Sequence, residues 1–140
     1  MPLIQWDDSF SVGFEEIDAQ HRRWVQLIND LDDALEDGDP DELALARHES
    51  LKAMVEYACF HFNSEEGFMA KMGYPELKTH RQLHDQMARK LLQIQRDNEN
   101  GYHPLNTQLM SLMVNWLKDH ILTQDKQYAA YAAENGINQH

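Results

Sequence analysis

The sequence predicts an all-α fold, an antiparallel up-down-up-down four-helix bundle with an N-terminal arm, on three observations. Apolar residues recur at threes and fours in four separate stretches, the period of an amphipathic helix rather than a strand. Gly/Pro breaks divide those stretches at Gly38-Asp39-Pro40, at Gly73-Tyr74-Pro75 and between Gly101 and Pro104, and the connections are short enough to force antiparallel neighbours. In each stretch one or two histidines fall in phase with the apolar face.

Residues 1 to about 17 mix apolar and polar types around Gly13, with Trp6, Phe10, Phe14 and Ile17 able to pack on a larger body. They predict an ordered, mostly irregular arm, with a short edge strand as the alternative. From about 18 to 37 the stripe His21, Trp24, Val25, Ile28, Leu31 and Leu35 predicts the first helix, stopped by Gly38. Asp39 can cap the second helix, Pro40 suits its first turn and Glu42 completes a capping box. That helix, about 40 to 72, carries Leu51, Met54, Val55, Ala58, His61, Phe62, Glu65 and Met69 on one face. A third, about 75 to 98, carries Leu77, His80, His84, Met87, Leu91 and Ile94. The fourth, about 104 to 131, opens at Pro104 and carries Leu105, Leu109, Leu112, Met113, Trp116, His120, Ile121 and Tyr128.

At 140 residues the chain fits one domain able to bury a core without disulfides. The single cysteine, Cys59, reads as a small buried hydrophobe. A net charge of -12, from 12 basic and 24 acidic residues, argues against nucleic acid or an anionic membrane as partner. The first residues lack a basic start followed by an apolar stretch, and no run reaches membrane-spanning length, so a cytoplasmic protein without membrane insertion is expected. The acidic stretch around Gly38 fails the EF-hand ligand pattern, and His48-Glu49 opens a zinc-protease motif that Lys52 does not close.

The chemistry sits on the inward faces. His61 and Glu65 are four apart before the Gly73 break, and His80 and His84 are four apart after it, so each pair shares a helix face as a two-ligand clip. With His21 and His120, five histidines and one carboxylate occupy core-facing positions, whereas His48, His103 and His140 fall outside these spacings. Five neutral imidazoles buried together would compete for few donors, and a bare carboxylate among them would cost several kcal/mol. A metal centre resolves both problems. Imidazole with carboxylate and no thiolate suits iron, and also zinc, copper or nickel. Five histidines exceed the needs of one ion with open positions, so two ions bridged by carboxylates fit better.

In order and spacing, D-x-Q-H at 18 to 21, HFxxEE at 61 to 66, HxxxH at 80 to 84 and HxxxxD at 120 to 125 resemble the hemerythrin family in its single-domain bacterial form, over nearly the whole chain. The resemblance implies one hemerythrin-like domain, 1 to 140, with a non-haem di-iron centre and an oxo or hydroxo bridge. It implies that His80, His84 and His120 complete one iron, that His21 and His61 hold the other with a position left open, and that Glu65 and Asp125 bridge the pair. Asp125 lies about 140° around a regular helix from His120, so a local widening such as a π-bulge would be needed to re-aim it. Glu66, one residue out of phase, reads as solvent-facing. By matching positions, Phe62, Trp116, Leu117 and Ile121 would line a dry pocket for dioxygen, with Tyr128 one turn after Asp125.

The implied function is reversible dioxygen binding for storage, delivery or sensing, not an enzyme activity, although weak oxidase or peroxidase turnover stays open. The alternatives are a di-iron oxidase, peroxidase or nitric oxide reducing enzyme, and a metal-clamped structural or iron-storage bundle. Dioxygen is the expected ligand, and the sequence shows no protein partner.

Overall fold

A computed structural model describes residues 4–34, 40–101 and 106–137, with the side chains at 106 and 107 outside the description. After a short 3-10 turn at Asp8–Phe10, the helices are α1 (Glu15–Ala34), α2 (Pro40–Lys71), α3 (Leu77–Glu99), α4 (Asn106–Asp119) and α5 (Lys126–Glu134). A π-helical turn, His120–Asp125, joins α4 to α5, so the last two form the bundle's fourth rod. Leu35, Gly38, Asp39, His103, Pro104, Leu105 and His140, named above, lie outside the described residues.

The rods alternate in direction, as the partners of successive residues show. On α1, Gln20 meets Ser64 and Trp24 meets Tyr57, so the partner number falls as the chain advances. Between α2 and α3, Phe62 meets His84 and Glu66 meets Arg81. Between α1 and the fourth rod, His21 meets Asp125 and Trp24 meets Trp116.

The α2–α3 reversal shows why the break falls where it does. Gly73 has φ +71°, its amide donates to the Ala70 carbonyl at 3.1 Å, and the Tyr74 amide donates to the Met69 carbonyl at 3.0 Å. That is a Schellman termination, which needs a residue in the left-handed region.

Helix α1 begins at Glu15, three residues before the expected Asp18, because the arm itself sets its start. The Asp18 carboxylate accepts from the Val12 amide at 2.9 Å and the Ser11 hydroxyl at 2.5 Å, tying the incoming chain to the first turn. Farther out, Ile4 and the Asn29 side chain exchange two hydrogen bonds, Ile4 N–H to Oδ1 at 3.0 Å and Nδ2–H to the Ile4 carbonyl at 2.8 Å. Side-chain amides thus replace a sheet partner, and no strand occurs among the described residues.

Two apolar clusters fill the core. One gathers Ile28, Leu31, Leu51, Met54, Leu91 and Met113 among others, and the other gathers Val12, Phe14, Ile17, Met69, Tyr74, Tyr128 and Ala132. Along every rod the histidines lie between residues of the first cluster and residues of the second, so one polar layer crosses the bundle between two apolar ones. Cys59 departs from its expected burial and is exposed beside the exposed Phe60. Ala58, His61, Phe62 and Glu65 take the inward face, and the next position after Ala58 turns away from it. Among the described residues no helix is long and apolar enough to cross a membrane.

Candidate metal centre

The polar layer brings together His21, His61, Glu65, His80, His84, His120 and Asp125, all buried. The five imidazoles point their Nε2 atoms inward. On one side the His120 Nε2 lies 3.0 Å from His80 Nε2 and 3.1 Å from His84 Nε2. Glu65 Oε1 is 3.1 Å from His80 Nε2 and 3.0 Å from His84 Nε2, while Asp125 Oδ1 is 3.0 Å from His80 Nε2 and 3.1 Å from His120 Nε2. The other oxygens of the same carboxylates face the remaining histidines. Glu65 Oε2 is 3.3 Å from His21 Nε2 and 3.4 Å from His61 Nε2, and Asp125 Oδ2 is 3.1 Å from His21 Nε2. Each carboxylate is divided between a group of three imidazoles and a group of two.

The π turn puts Asp125 there. An i to i+5 step closes one turn of a π-helix, so His120 and Asp125 come onto a common face that a regular helix would deny them. The amide of Lys126 bonds back to the Ile121 carbonyl in the same wider pattern.

Surrounding groups fix the imidazoles. His84 Nδ1–H donates to Glu66 Oε2 at 2.9 Å, and Glu66 Oε1 accepts from Arg81 Nε at 3.0 Å. Glu66 is therefore not solvent-facing, its side chain being only 15 % exposed in the seam between α2 and α3. His61 Nδ1–H donates to Gln20 Oε1 at 2.7 Å, and Gln20 donates in turn to Ser64 Oγ at 2.9 Å. Phe62 stacks on His84 at 4.1 Å and 11°, and Trp116 stacks on His120 at 4.5 Å and 10°. Leu117 and Ile121 are buried beside them, and the buried Tyr128 hydroxyl donates to Glu65 Oε2 at 3.1 Å. Glu66 and Gln20 are the functional contacts that phase alone misses.

Without an ion the layer is badly satisfied. Because the Nδ1 protons of His61 and His84 go to acceptors outside the layer, their Nε2 lone pairs point at carboxylate oxygens and other imidazoles. Both ring nitrogens of His21 and both oxygens of Asp125 are buried with no hydrogen bond of acceptable geometry, despite the short His21–Asp125 approach. Burial opposes a charge on His21 and His120, but Asp125 and Glu65 outweigh it and raise them to about 9 and about 10. Burial wins at His61, which is lowered. Burial also works against ionisation of Glu65 and Asp125, yet the facing histidines hold both below the usual carboxylate range. The layer thus favours positive charge at its centre. Around an octahedral ion with bonds of about 2.1–2.2 Å, adjacent ligand atoms lie about 3.0–3.1 Å apart. The three-imidazole group with its carboxylate oxygens already has mostly that spacing, departing at His120–Glu65, 3.8 Å. The donor set and its spacing fit a metal.

Residues 12–132 match the family model described as the hemerythrin HHE cation binding domain. The chain is 28% identical over 131 residues to a bacteriohemerythrin of Clostridium acetobutylicum, covering 90% of this chain and 98% of that protein. It is 30% identical to a bacteriohemerythrin of Methylococcus capsulatus, covering 91% of this chain and 95% of that one. Among solved structures, a crystal structure of wild-type hemerythrin superposes with a TM-score of 0.82 at 28% identity, covering 91% of this chain and 96% of the other. The fold, the cation-binding layer and the family match agree, and the chain belongs to the hemerythrin family.

Proposed function

We propose that this chain is a single hemerythrin domain that binds dioxygen reversibly at a non-haem di-iron centre, for storage, delivery or sensing. One observation carries the pair of ions: Glu65 turns one oxygen to His80, His84 and His120 and the other to His21 and His61, and Asp125 turns one oxygen to His80 and His120 and the other to His21. His80, His84 and His120 would hold one ion and His21 and His61 the other, with both carboxylates shared. His21 and His61 would give the second ion the smaller ligand set, and that side would receive dioxygen. When bound, two irons supply the electrons by which dioxygen is held and to which its release returns them.

The protein's own residues keep that exchange reversible. Phe62 and Trp116 pin two imidazoles by stacking, and Leu117 and Ile121 keep water from the layer. Tyr128 supplies a hydroxyl bonded to a shared carboxylate, and burial with the nearby Glu65 and Asp125 charges holds its ionisation well above 10, so it orients Glu65 and does not give up its proton. With no other acid among the proposed pocket residues, turnover of dioxygen lacks a proton source.

Anaerobically purified protein should contain roughly two irons per chain. Exposure to oxygen should produce a visible absorption band that disappears under argon with the reduced protein recovered. Continuous oxygen consumption in the presence of a reductant, well above autoxidation, would replace the carrier reading with an oxidase. Stoichiometric zinc with no visible band would replace it with a structural clamp.

A further inference from the structure

The two imidazole groups are supported by different chemistry on their outer sides. His84 gives its Nδ1 proton to a carboxylate, Glu66, whereas His61 gives its own to a neutral amide, Gln20. Phe62 and Glu66 are four apart on α2 and both engage His84, one stacking on the ring face and the other taking the ring proton. The ring is held in tilt and in rotation. Arg81, three residues before His84 on α3, closes the other end of the Glu66 carboxylate and is 53 % exposed. A chain of charge-assisted hydrogen bonds therefore runs from the surface to one imidazole.

We propose that Glu66 is a positioning residue for the metal centre: it locks His84 with its Nε2 lone pair inward and lends that imidazole negative charge, while Arg81 limits how much. This rests on the reading that the histidine layer holds redox-active iron. An acceptor that is anionic makes the imidazole a stronger donor and favours the more highly charged state of the ion it holds. A neutral acceptor, as at His61, does so less. The two ions of the centre are accordingly unequal, and the one held by His84 is the easier to keep oxidised. Two substitutions at adjacent points of the chain should act with opposite sign. Glu66→Gln keeps an acceptor oxygen and removes the charge. Arg81→Gln leaves the charge and removes the cation that draws it away from His84.

The test compares wild type, E66Q and R81Q in two measurements. Cobalt(II) titrated into the metal-free protein should bind E66Q about 10- to 100-fold more weakly than wild type. R81Q should bind it no more weakly than wild type. In redox titration of the iron-loaded proteins, the midpoint should rise in E66Q and fall in R81Q. A role confined to packing would move both variants the same way or leave the midpoint in place, and either result overturns the proposal, as does unchanged cobalt affinity in E66Q. If wild type takes up no iron, the dioxygen reading falls by itself and the cobalt titration still decides the role of Glu66.

Discussion

Removing Thr123 should leave the metal centre intact, although the deletion lies between two of its candidate ligands. In a regular α-helix, residues five apart are separated by five steps of about 100°, leaving Asp125 about 140° from the direction of His120. With side-chain ends about 5 Å from the axis, that angle would separate the two groups by about 9 Å. The structure holds His120 Nε2 and Asp125 Oδ1 at 3.1 Å, and the π turn makes the difference by accommodating one extra residue. Deleting Thr123, which is exposed and whose hydroxyl bonds only its own helix at the Asp119 carbonyl, converts the spacing to four. Four steps return to within about 40°, the ordinary clip already used by His61 with Glu65. Everything after Asp125 keeps its phase. Deleting the exposed Gln127 instead rotates Tyr128 and Ala132, both fully buried, out of the core by about 100°. Loss of an aromatic from a packed core costs about 3–5 kcal/mol. In urea unfolding of the metal-free proteins, the Thr123 deletion should stay within about 1 kcal/mol of wild type and the Gln127 deletion should lose several times that. Metal content should follow the same order. Loss of metal from the Thr123 deletion with retention in the Gln127 deletion would show that the π turn does not set the aim of Asp125.

The metal-free protein should be most stable close to pH 6.5. His21 and His120, raised from 6.5 to about 9 and about 10, contribute stability that is full below 6.5 and lost as pH rises through those values. Glu65 and Asp125 are lowered from 4.5 and 3.8, so their contribution is present above those values and lost as pH falls, and the lowered His61 adds a loss below 6.5. Thermal unfolding at about pH 4, 6.5 and 10.5 checks this, and a midpoint highest at either extreme contradicts it. Because His21 and His120 are raised to about 9 and about 10, and His80 is raised as well, metal loading at pH 7.5 should release at least roughly two protons per chain, measurable by calorimetry in buffers of different ionisation enthalpy; no release means that the imidazoles were already neutral. Gly73→Ala should cost about 1–2 kcal/mol from the left-handed backbone alone, since the nearest atom to an added Cβ, the Tyr131 hydroxyl, is 4.0 Å away. A larger loss by urea unfolding would mean that the turn packs against something in addition.

What a helical period reveals is a face, and most of this fold is made of faces. The stripe from Leu51 to Met69 is inward because apolar side chains mark the core side, and His61 and Glu65 are legible as ligands because they interrupt that stripe without leaving it. Residue type predicts burial for Cys59, whereas its place directly after Ala58 turns it outward; position outweighs preference. Asp125 was out of reach of the period for a different reason. Its aim depends on a change of the period itself, and nothing in His120–Asp125 except resemblance to known patterns signals a wider turn.

Glu66 shows a third kind of limit, which follows from bundle geometry. A helix in a four-helix bundle has an inward face, an outward face and two flanks that meet its neighbours, and a single hydrophobic period separates only the first two. Glu66 is about 100° from Glu65 and lands on the flank toward α3, where Arg81 and His84 present three-residue neighbours to receive it. Gln20, beside His21, lands in the same way on the flank toward α2 and receives the His61 proton. Metal ligands must converge on a point and therefore sit in phase, but the groups that orient them must approach from the side, because the second imidazole nitrogen points away from the ion. In such a bundle the residue next to an in-phase ligand is therefore the place to look for the partner of a histidine on the adjacent helix.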